Sequence, residues 1–132
     1  MLVEEIMDTR MFNVITLAYL GDSVYEVYVR EYLINTGVAL VDDLQKNAIK
    51  FVSAKSQSKI LNYLIENDIL TEEEREVVKR GRNYKRATHP KNTDIITYKM
   101  STGFEALIGD LYLRKRERLD EIMKIILDEY GK

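Results

Sequence analysis

Two acidic residues, each in the middle of a strongly apolar stretch of this 132-residue chain, are the first candidates for chemistry. Asp22 lies in "LAYLGDSVYEVYVREYL" (residues 17–33) and Glu105 in "STGFEALIGDLYL" (residues 101–113). A carboxylate among apolar neighbours loses hydration, so we expect both side chains to be buried. If the two stretches cross near these acids, a divalent cation or a shared proton must offset their repulsion. The chain has no cysteine, so an oxygen-ligated Mg²⁺ or Mn²⁺ is the natural cation.

A structural role competes with the metal site for each acid taken alone. Either acid could cap a helix, pair with an arginine in the core, or lie at the rim of the apolar region. The occurrence of two such acids on two such stretches favours the metal site. Glu26 lies one helical turn beyond Asp22 and could join them, but a bond to Arg30 at i+4 is the simpler interpretation.

A basic segment, "VVKRGRNYKRATHPKNT", runs from Val77 to Thr93 and contains no acid. It carries +6, which leaves −8 for the rest of a chain whose net charge is −2. A solvated face is the simpler interpretation of such a run. A flexible loop that binds a polyanion is the alternative, because phosphate ligands are often presented by loops. The residues predicted to contact the phosphates of such a polyanion are Arg80, Arg82, Asn83, Lys85, Arg86 and Lys91.

Apolar residues recur with helical spacing along nearly the whole chain, so helices must position the acids and the basic segment. The two acid-bearing stretches are apolar on almost every face, which is typical of central helices. Glycine weakens a helix, so Gly21, Gly103 and Gly109 indicate a close approach between these two helices.

The predicted helices have recognisable ends. Asn13 caps a helix to about Leu33, a second helix begins after Asp42 or Asp43, and Ser53 caps a third. A capping box at Thr71 and Glu74 opens a fourth helix that reaches roughly Arg80. A loop over residues 82–96 precedes helices at about 98–115 and 117–130. The sequence therefore predicts one all-α domain, a helical bundle that spans residues 1–132.

Composition places the chain among soluble globular proteins. Hydrophobic residues make up 45% and charged residues 32%, and no apolar run is long enough to span a membrane. Together with the absence of cysteine, these features predict a cytoplasmic protein that does not associate with membranes.

Several motifs resemble those of the ribonuclease III endonuclease domain. "LGDSVYE" and "FEALIGDLYL" are similar to its two signature segments. "VSAKSQ", "KRGRN" and "PKNTD" are similar to segments of Mini-ribonuclease III, the short bacterial branch of that family. The motifs occur in the same order and at compatible spacing from about Asn13 to Leu113.

The resemblance implies an all-helical fold, a homodimer, and Mg²⁺-dependent hydrolysis of double-stranded RNA that leaves 5′-phosphate and 3′-hydroxyl ends. The short branch lacks a separate double-stranded-RNA-binding domain, and its members typically mature the ends of 23S ribosomal RNA precursors. Both properties are expectations for this chain.

The resemblance assigns roles residue by residue. Asp22 and Glu105 match the signature acids that bind metal. Other acids of full-length ribonuclease III fall on Ile15, Ala18 and Thr102, losses that the short branch shares. Asp94, in the segment that matches "PKNTD", is a possible third catalytic participant. Tyr84 and Asp110 stand where the family would have small or uncharged residues, and the sequence offers no account of them.

Two other functions compete with this one. The chain could be a non-catalytic module that binds double-stranded RNA and uses its acids structurally. It could also be a metal-dependent hydrolase of small phosphate esters. Cleavage of double-stranded RNA with and without Mg²⁺ separates all three.

Overall fold

A computed structural model describes residues 12–85 and 94–131, and every regular element in these ranges is a helix. The fold class is therefore all-α, as predicted. The helices are α1 (Val14–Asn35), α2 (Val41–Val52), α3 (Ala54–Glu66), α4 (Glu72–Arg82), α5 (Ile95–Arg114) and α6 (Arg116–Tyr130). None of the helices in this described part combines the length and the apolar character that crossing a bilayer requires.

Helix α5 forms the centre of the bundle and contacts α1, α3, α4 and α6. Its residues from Met100 to Leu111 are buried except for Glu105, which is half-buried. The prediction that α5 is a central helix is confirmed. Its most extensive partner is α1, the other helix that carries a candidate acid.

Glycines allow α1 and α5 to cross with their backbones in contact. A Cβ atom on Gly21 would overlap the carbonyl oxygen of Glu105, and one on Gly109 would overlap the carbonyl oxygen of Leu17. The predicted close approach is therefore confirmed for Gly21 and Gly109. The crossing fixes Asp22 and Glu105 near the point where the two helices touch.

Gly103 serves a different helix pair, so the prediction that it faces α1 was wrong. A Cβ atom on Gly103 would lie 2.8 Å from the carbonyl oxygen of Val78, on α4. Reciprocally, a Cβ atom on Gly81 would lie 2.8 Å from the Cα of Gly103. Gly81 is therefore a residue of α4 that packs against α5, and it does not belong to a flexible loop.

Local capping sets the starts of α1, α3 and α4, as predicted, whereas α2 begins at Val41, before the predicted Asp42 or Asp43, and has no side-chain cap. The Asn13 side chain accepts a hydrogen bond from the Ile15 amide at 3.0 Å, and Ser53 accepts one from the Ser56 amide at 3.2 Å. At the start of α4, Thr71 and Glu74 form both bonds of a capping box.

The predicted loop over residues 82–96 is shorter at both ends than expected. Helix α4 continues to Arg82, and α5 already begins at Ile95. The earlier start follows from Asp94, whose side chain accepts a hydrogen bond from the Thr97 amide at 2.9 Å and caps the helix. Residues 86–93 lie outside the described part of the chain.

Arginine pairs join α4 to α5 and α6. Arg118 bonds to the buried Glu74, with Nε 2.8 Å from Oε2, and Arg114 lies 2.6 Å from the buried Asp110 and 2.6 Å from Glu73. Asp110 is therefore an internal partner of Arg114. Tyr84 packs against a small apolar cluster that contains Val14, Leu17, Ala18, Val77 and Ala106.

Candidate active site

A cleft of about 440 Å³ lies between α1 and α5, and both signature acids line it. Asp22 comes from α1 and Glu105 from α5. The remaining lining residues are Ile15, Thr16, Ala18, Tyr19, Tyr98 and Thr102. The helix crossing at Gly21 therefore brings together two carboxylates that are far apart in the sequence.

The same cleft contains all three positions at which the resemblance places lost acids. Ile15, Ala18 and Thr102 line it together with Asp22 and Glu105. Of these three side chains, only Thr102 carries a polar atom, and its hydroxyl donates to the Tyr98 carbonyl at 3.1 Å. All five positions that match acids of full-length ribonuclease III therefore line this one cleft, and two of them still carry a carboxylate.

The prediction that both acids are buried was wrong for Asp22 and half right for Glu105. Asp22 is exposed and Glu105 is half-buried. The neighbouring Gly21 takes the buried contact with α5, and successive helical residues point about 100° apart because the helix has 3.6 residues per turn. Asp22 therefore faces the solvent side of the cleft although its neighbours are apolar.

Glu105 has a buried polar neighbour that the sequence did not single out. The Nε2 atom of Gln57 on α3 lies 3.4 Å from Oε2 of Glu105. Gln57 is only 1% exposed, unusual for a glutamine. It stands in the segment "VSAKSQ" that resembles the family, but nothing in local spacing indicates a partner on α5.

The donor set of the cleft fits Mg²⁺. Within residues 12–85 and 94–131, no group of three or more histidine, cysteine, aspartate or glutamate side chains could hold a metal. Mg²⁺ does not require such a group, because it commonly binds one or two carboxylates and takes its other ligands from water and substrate phosphates. Asp22 and Glu105 supply these two carboxylates on the wall of an open cleft.

Asp94 is not brought to the cleft. Its carboxylate accepts hydrogen bonds from the amide and the hydroxyl of Thr97, at 2.9 and 2.8 Å, and these bonds lower the pKa of Asp94. It precedes Glu105 by eleven residues, which corresponds to about 16 Å along a helix. The structure therefore gives Asp94 a capping role at the start of α5.

Glu26 does not line the cleft either. Its carboxylate lies 2.8 Å from Nη2 of Arg30, one turn further along α1. The simpler interpretation of Glu26 is confirmed.

The basic residues at the end of α4 lie beside the part of α5 that lines the cleft. A Cβ atom on Gly81 would lie 3.1 Å from the carbonyl oxygen of Thr102, so the last turn of α4 packs against a cleft residue. Arg82, Asn83 and Lys85 are exposed there. Arg80 belongs to α4, as predicted, but the prediction that the loop begins at residue 82 was wrong for Arg82, which is the last residue of the helix.

The remaining residues predicted to contact RNA are not exposed beside the cleft in the described part of the chain. Arg80 is half-buried, and its Nη2 donates to the carbonyl oxygen of Phe12 at 3.0 Å, so this side chain helps to hold the start of α1. Arg86 and Lys91 lie outside the described residues.

Comparison with known proteins identifies the family. The Ribonuclease III domain family model matches residues 15–116. Mini-ribonuclease 3 of Enterococcus faecalis is 41% identical over 125 residues, which are 94% of this chain and 95% of that protein. Mini-ribonuclease 3 of Symbiobacterium thermophilum is 48% identical over 115 residues, 86% of this chain and 87% of that protein.

A solved structure supports the same conclusion for the fold. The crystal structure of a Fusobacterium nucleatum protein superposes with a TM-score of 0.80 at 34% identity, and the match covers 92% of this chain and 97% of that one. The chain therefore belongs to the ribonuclease III family, in its Mini-ribonuclease III branch, and is an endoribonuclease.

Proposed function

We propose that this endoribonuclease hydrolyses double-stranded RNA at the cleft between α1 and α5, with Asp22 and Glu105 as the ligands of Mg²⁺. The observation that carries the proposal is the position of these two carboxylates in one cleft, together with Ile15, Ala18 and Thr102. Family acids are expected at all five positions, so their convergence supports the assignment of the two that remain acidic.

The two carboxylates of the cleft would hold the metal ion that the reaction needs. Asp22 and Glu105 carry two negative charges, which one Mg²⁺ balances. When bound, Mg²⁺, for which Mn²⁺ can substitute, supplies Lewis-acid catalysis by polarising the scissile phosphate and activating water. Asp22 is exposed, Glu105 is half-buried and both line the cleft, so both carboxylates are open to a cation that would bind a phosphate of the RNA. Hydrolysis leaves a 5′-phosphate and a 3′-hydroxyl. We propose that Asp94 acts as the cap of α5 and takes no part in catalysis, because it does not line the cleft.

Recognition of the duplex depends on its backbone. The bases of an A-form helix are hidden in a narrow major groove, so we expect contacts to phosphates and 2′-hydroxyls. Arg82, Asn83 and Lys85 at the end of α4 are suited to this role because they are exposed beside the cleft. Arg86 and Lys91 extend the same basic segment, and Arg80 contributes through its charge.

A homodimer provides one cleft for each strand of the duplex. Large apolar side chains are exposed near the cleft, with Tyr19 82%, Ile96 72% and Ile95 50% accessible. Tyr19 lines the cleft itself, and Ile95 precedes the cleft residue Tyr98 by one turn. A second copy that covers these residues would bury them. Sedimentation equilibrium should give twice the chain mass of 15.5 kDa, and Tyr19→Asp should shift the protein towards the monomer.

The natural substrate that we propose is the double-stranded stem formed by the ends of the 23S ribosomal RNA precursor. The similarity to Mini-ribonuclease 3 proteins supports this proposal. Incubation of a precursor stem with the purified enzyme, followed by mapping of both ends, tests it. Cleavage at scattered positions, or none, would count against this substrate.

One experiment tests the catalytic proposal as a whole. A paired RNA of about 30 base pairs is incubated with the protein in Mg²⁺ and in excess EDTA, beside single-stranded RNA and duplex DNA of the same sequence. We expect Mg²⁺-dependent cleavage of the RNA duplex alone and 5′-phosphate products. Tight duplex binding without cleavage would favour the non-catalytic RNA-binding module. Hydrolysis of a small phosphate diester but not of the duplex would favour the small-molecule hydrolase.

A further inference from the structure

We propose that Gln57 is a positioning residue that holds the carboxylate of Glu105 in the orientation needed for Mg²⁺. This inference rests on the proposed role of Glu105 as a metal ligand. It adds to the site a residue that is itself too deeply buried to contact RNA, since Gln57 is only 1% exposed.

The side-chain amide of Gln57 connects three parts of the fold. Its Nε2 atom donates to the carbonyl oxygen of Val52 at 3.1 Å and to Oε2 of Glu105 at 3.4 Å. Its Oε1 atom accepts a hydrogen bond from the hydroxyl of Ser101 at 2.8 Å. The amide thus joins the end of α2 and the start of α3 to two successive turns of α5.

The chemistry of these partners fixes which way the amide points. A backbone carbonyl and an ionised carboxylate accept hydrogen bonds but cannot donate them, so the nitrogen of Gln57 must face Val52 and Glu105. The Ser101 hydroxyl can donate, and it faces the amide oxygen. A flipped amide would place its oxygen against two acceptors, so the arrangement has one orientation.

A neutral donor suits a metal ligand better than a cation would. A lysine or arginine at this position would offset the charge of Glu105 and compete with Mg²⁺ for it. The amide restricts the motion of the carboxylate and leaves its charge for the metal. Hydrogen-bond partners that orient metal ligands typically contribute about 10- to 100-fold to metal affinity or activity.

The test measures metal binding without RNA. Gln57→Met keeps the length of the side chain and removes its hydrogen bonds. Mn²⁺ serves as the probe, and electron paramagnetic resonance measures the free ion. We expect the dissociation constant for Mn²⁺ to rise about tenfold. The Mg²⁺ concentration for half-maximal cleavage should rise by the same factor, while turnover at saturating Mg²⁺ changes less.

Two variants keep the test decisive. Ser101→Ala removes the hydroxyl that holds the amide oxygen and should weaken Mn²⁺ binding in the same direction by a smaller factor, and it decides the question if Gln57→Met does not fold. Tyr25→Phe is the matched control, because it removes a buried hydrogen bond of 2.9 Å to the Phe51 carbonyl and keeps the aromatic ring. We expect it to lower stability and leave Mn²⁺ binding unchanged.

The outcomes separate this inference from the proposed function. If Gln57→Met and Ser101→Ala are destabilised like Tyr25→Phe but bind Mn²⁺ like the parent, Gln57 is structural and the inference is overturned. If Glu105→Gln itself binds Mn²⁺ and cleaves RNA like the parent, the metal role of Glu105 is wrong, and the role of Gln57 falls with it.

Discussion

Gly21 and Asp22 are neighbours on α1 and have opposite environments. Gly21 is buried against the backbone of α5, where no side chain fits, whereas Asp22 is exposed in the cleft. The glycine therefore sets how close the two helices lie, and the aspartate lies beside that contact. Exposure suits the metal-binding role that we propose for Asp22, because a hydrated carboxylate can bind a partly hydrated Mg²⁺ without the cost of burying a charge.

We predict that Asp22→Asn and Glu105→Gln each reduce cleavage by about 100-fold or more, a loss at or above the upper end of the range for residues that only orient a ligand. The double variant should be little worse than either single one, because the two carboxylates act as a unit. Since Asp22 is exposed, Asp22→Asn should change the free energy of unfolding by less than about 0.5 kcal/mol.

Single-turnover cleavage and urea denaturation measure these two effects. Asp42→Asn is the matched control, since Asp42 is an exposed acid in the first turn of α2 and does not line the cleft. Turnover of Asp22→Asn near the parent level at saturating Mg²⁺ would show that Asp22 is not a ligand.

At the scale of the elements, α5 is held by two glycine contacts on different sides. Gly109 and Gly21 bring α1 close, and Gly103 and Gly81 bring α4 close. The first contact forms the cleft, and the second places the basic end of α4 beside it. Helix packing and the geometry of the site therefore depend on the same small residues.

We predict that Gly21→Ala destabilises the protein by about 3 kcal/mol or more, at the upper end of the range for overpacked cores. The new methyl group would overlap the Glu105 carbonyl, and a backbone atom cannot move aside as a side chain can. Alanine is intrinsically the better helix former by about 1 kcal/mol, so a loss of stability can only come from packing.

Urea denaturation checks this expectation. Gly81→Ala is the comparison, because its methyl group would approach the nearest atom less closely, at 2.8 Å, and should cost less. An unchanged or higher urea midpoint for Gly21→Ala would contradict the close crossing of α1 and α5.

The bond between Glu74 on α4 and Arg118 on α6 makes the link between these helices sensitive to pH. Burial raises the pKa of Glu74, but the bonds from Arg118 and Thr71 outweigh burial and lower the pKa below its ordinary value of 4.5. A lowered folded-state pKa means that this stabilisation is complete above pH 4.5 and is lost as the pH falls through the folded value.

We predict that Glu74→Gln lowers the free energy of unfolding by about 1.5–3 kcal/mol at pH 7, the range for hydrogen bonds to charged groups. The difference from the parent should shrink as the pH falls below 4.5, because the parent then loses the same charge. Urea denaturation at pH 7 and pH 3.5 measures both values. A difference that is equal at the two pH values would assign the effect to packing.

At the scale of the whole molecule, the sequence predicted local features and one long-range feature, the crossing of α1 and α5 at Gly21 and Gly109, but not the surroundings of individual side chains. Asn13, Ser53 and Thr71 cap helices through bonds to residues two or three positions away, and all three were identified from the sequence. The exposure of Asp22 depends on which face of α1 meets α5, and the partner of Gln57 lies 48 residues away. Apolar spacing carries no information about either.

The uneven charge of the molecule should determine how salt affects RNA binding. We predict that Arg82→Ala and Lys85→Ala each weaken binding to all RNA duplexes and make the log–log salt slope shallower by about one unit, as expected for one lost phosphate contact. Lys124→Ala is the control, because Lys124 is an exposed lysine that pairs with Asp128 on α6. Binding measured from low to high salt checks the slopes. Equal slopes for Arg82→Ala, Lys85→Ala and Lys124→Ala would show that the end of α4 is an ordinary solvated surface.

The crossing of α1 and α5 also has a consequence for the synthesis of the protein. Asp22 and Glu105 are separated by about 80 residues, so the chain must close a long loop before they meet. While the chain is being translated, α1 leaves the ribosome long before α5 exists to pack against Gly21. The nascent chain therefore carries only half of the acid pair while it is attached to a particle built largely of RNA. With Asp22 and Glu105 as the metal ligands that we propose, cleavage can begin only after α5 has also emerged, so the topology would delay a nuclease next to the RNA it could damage.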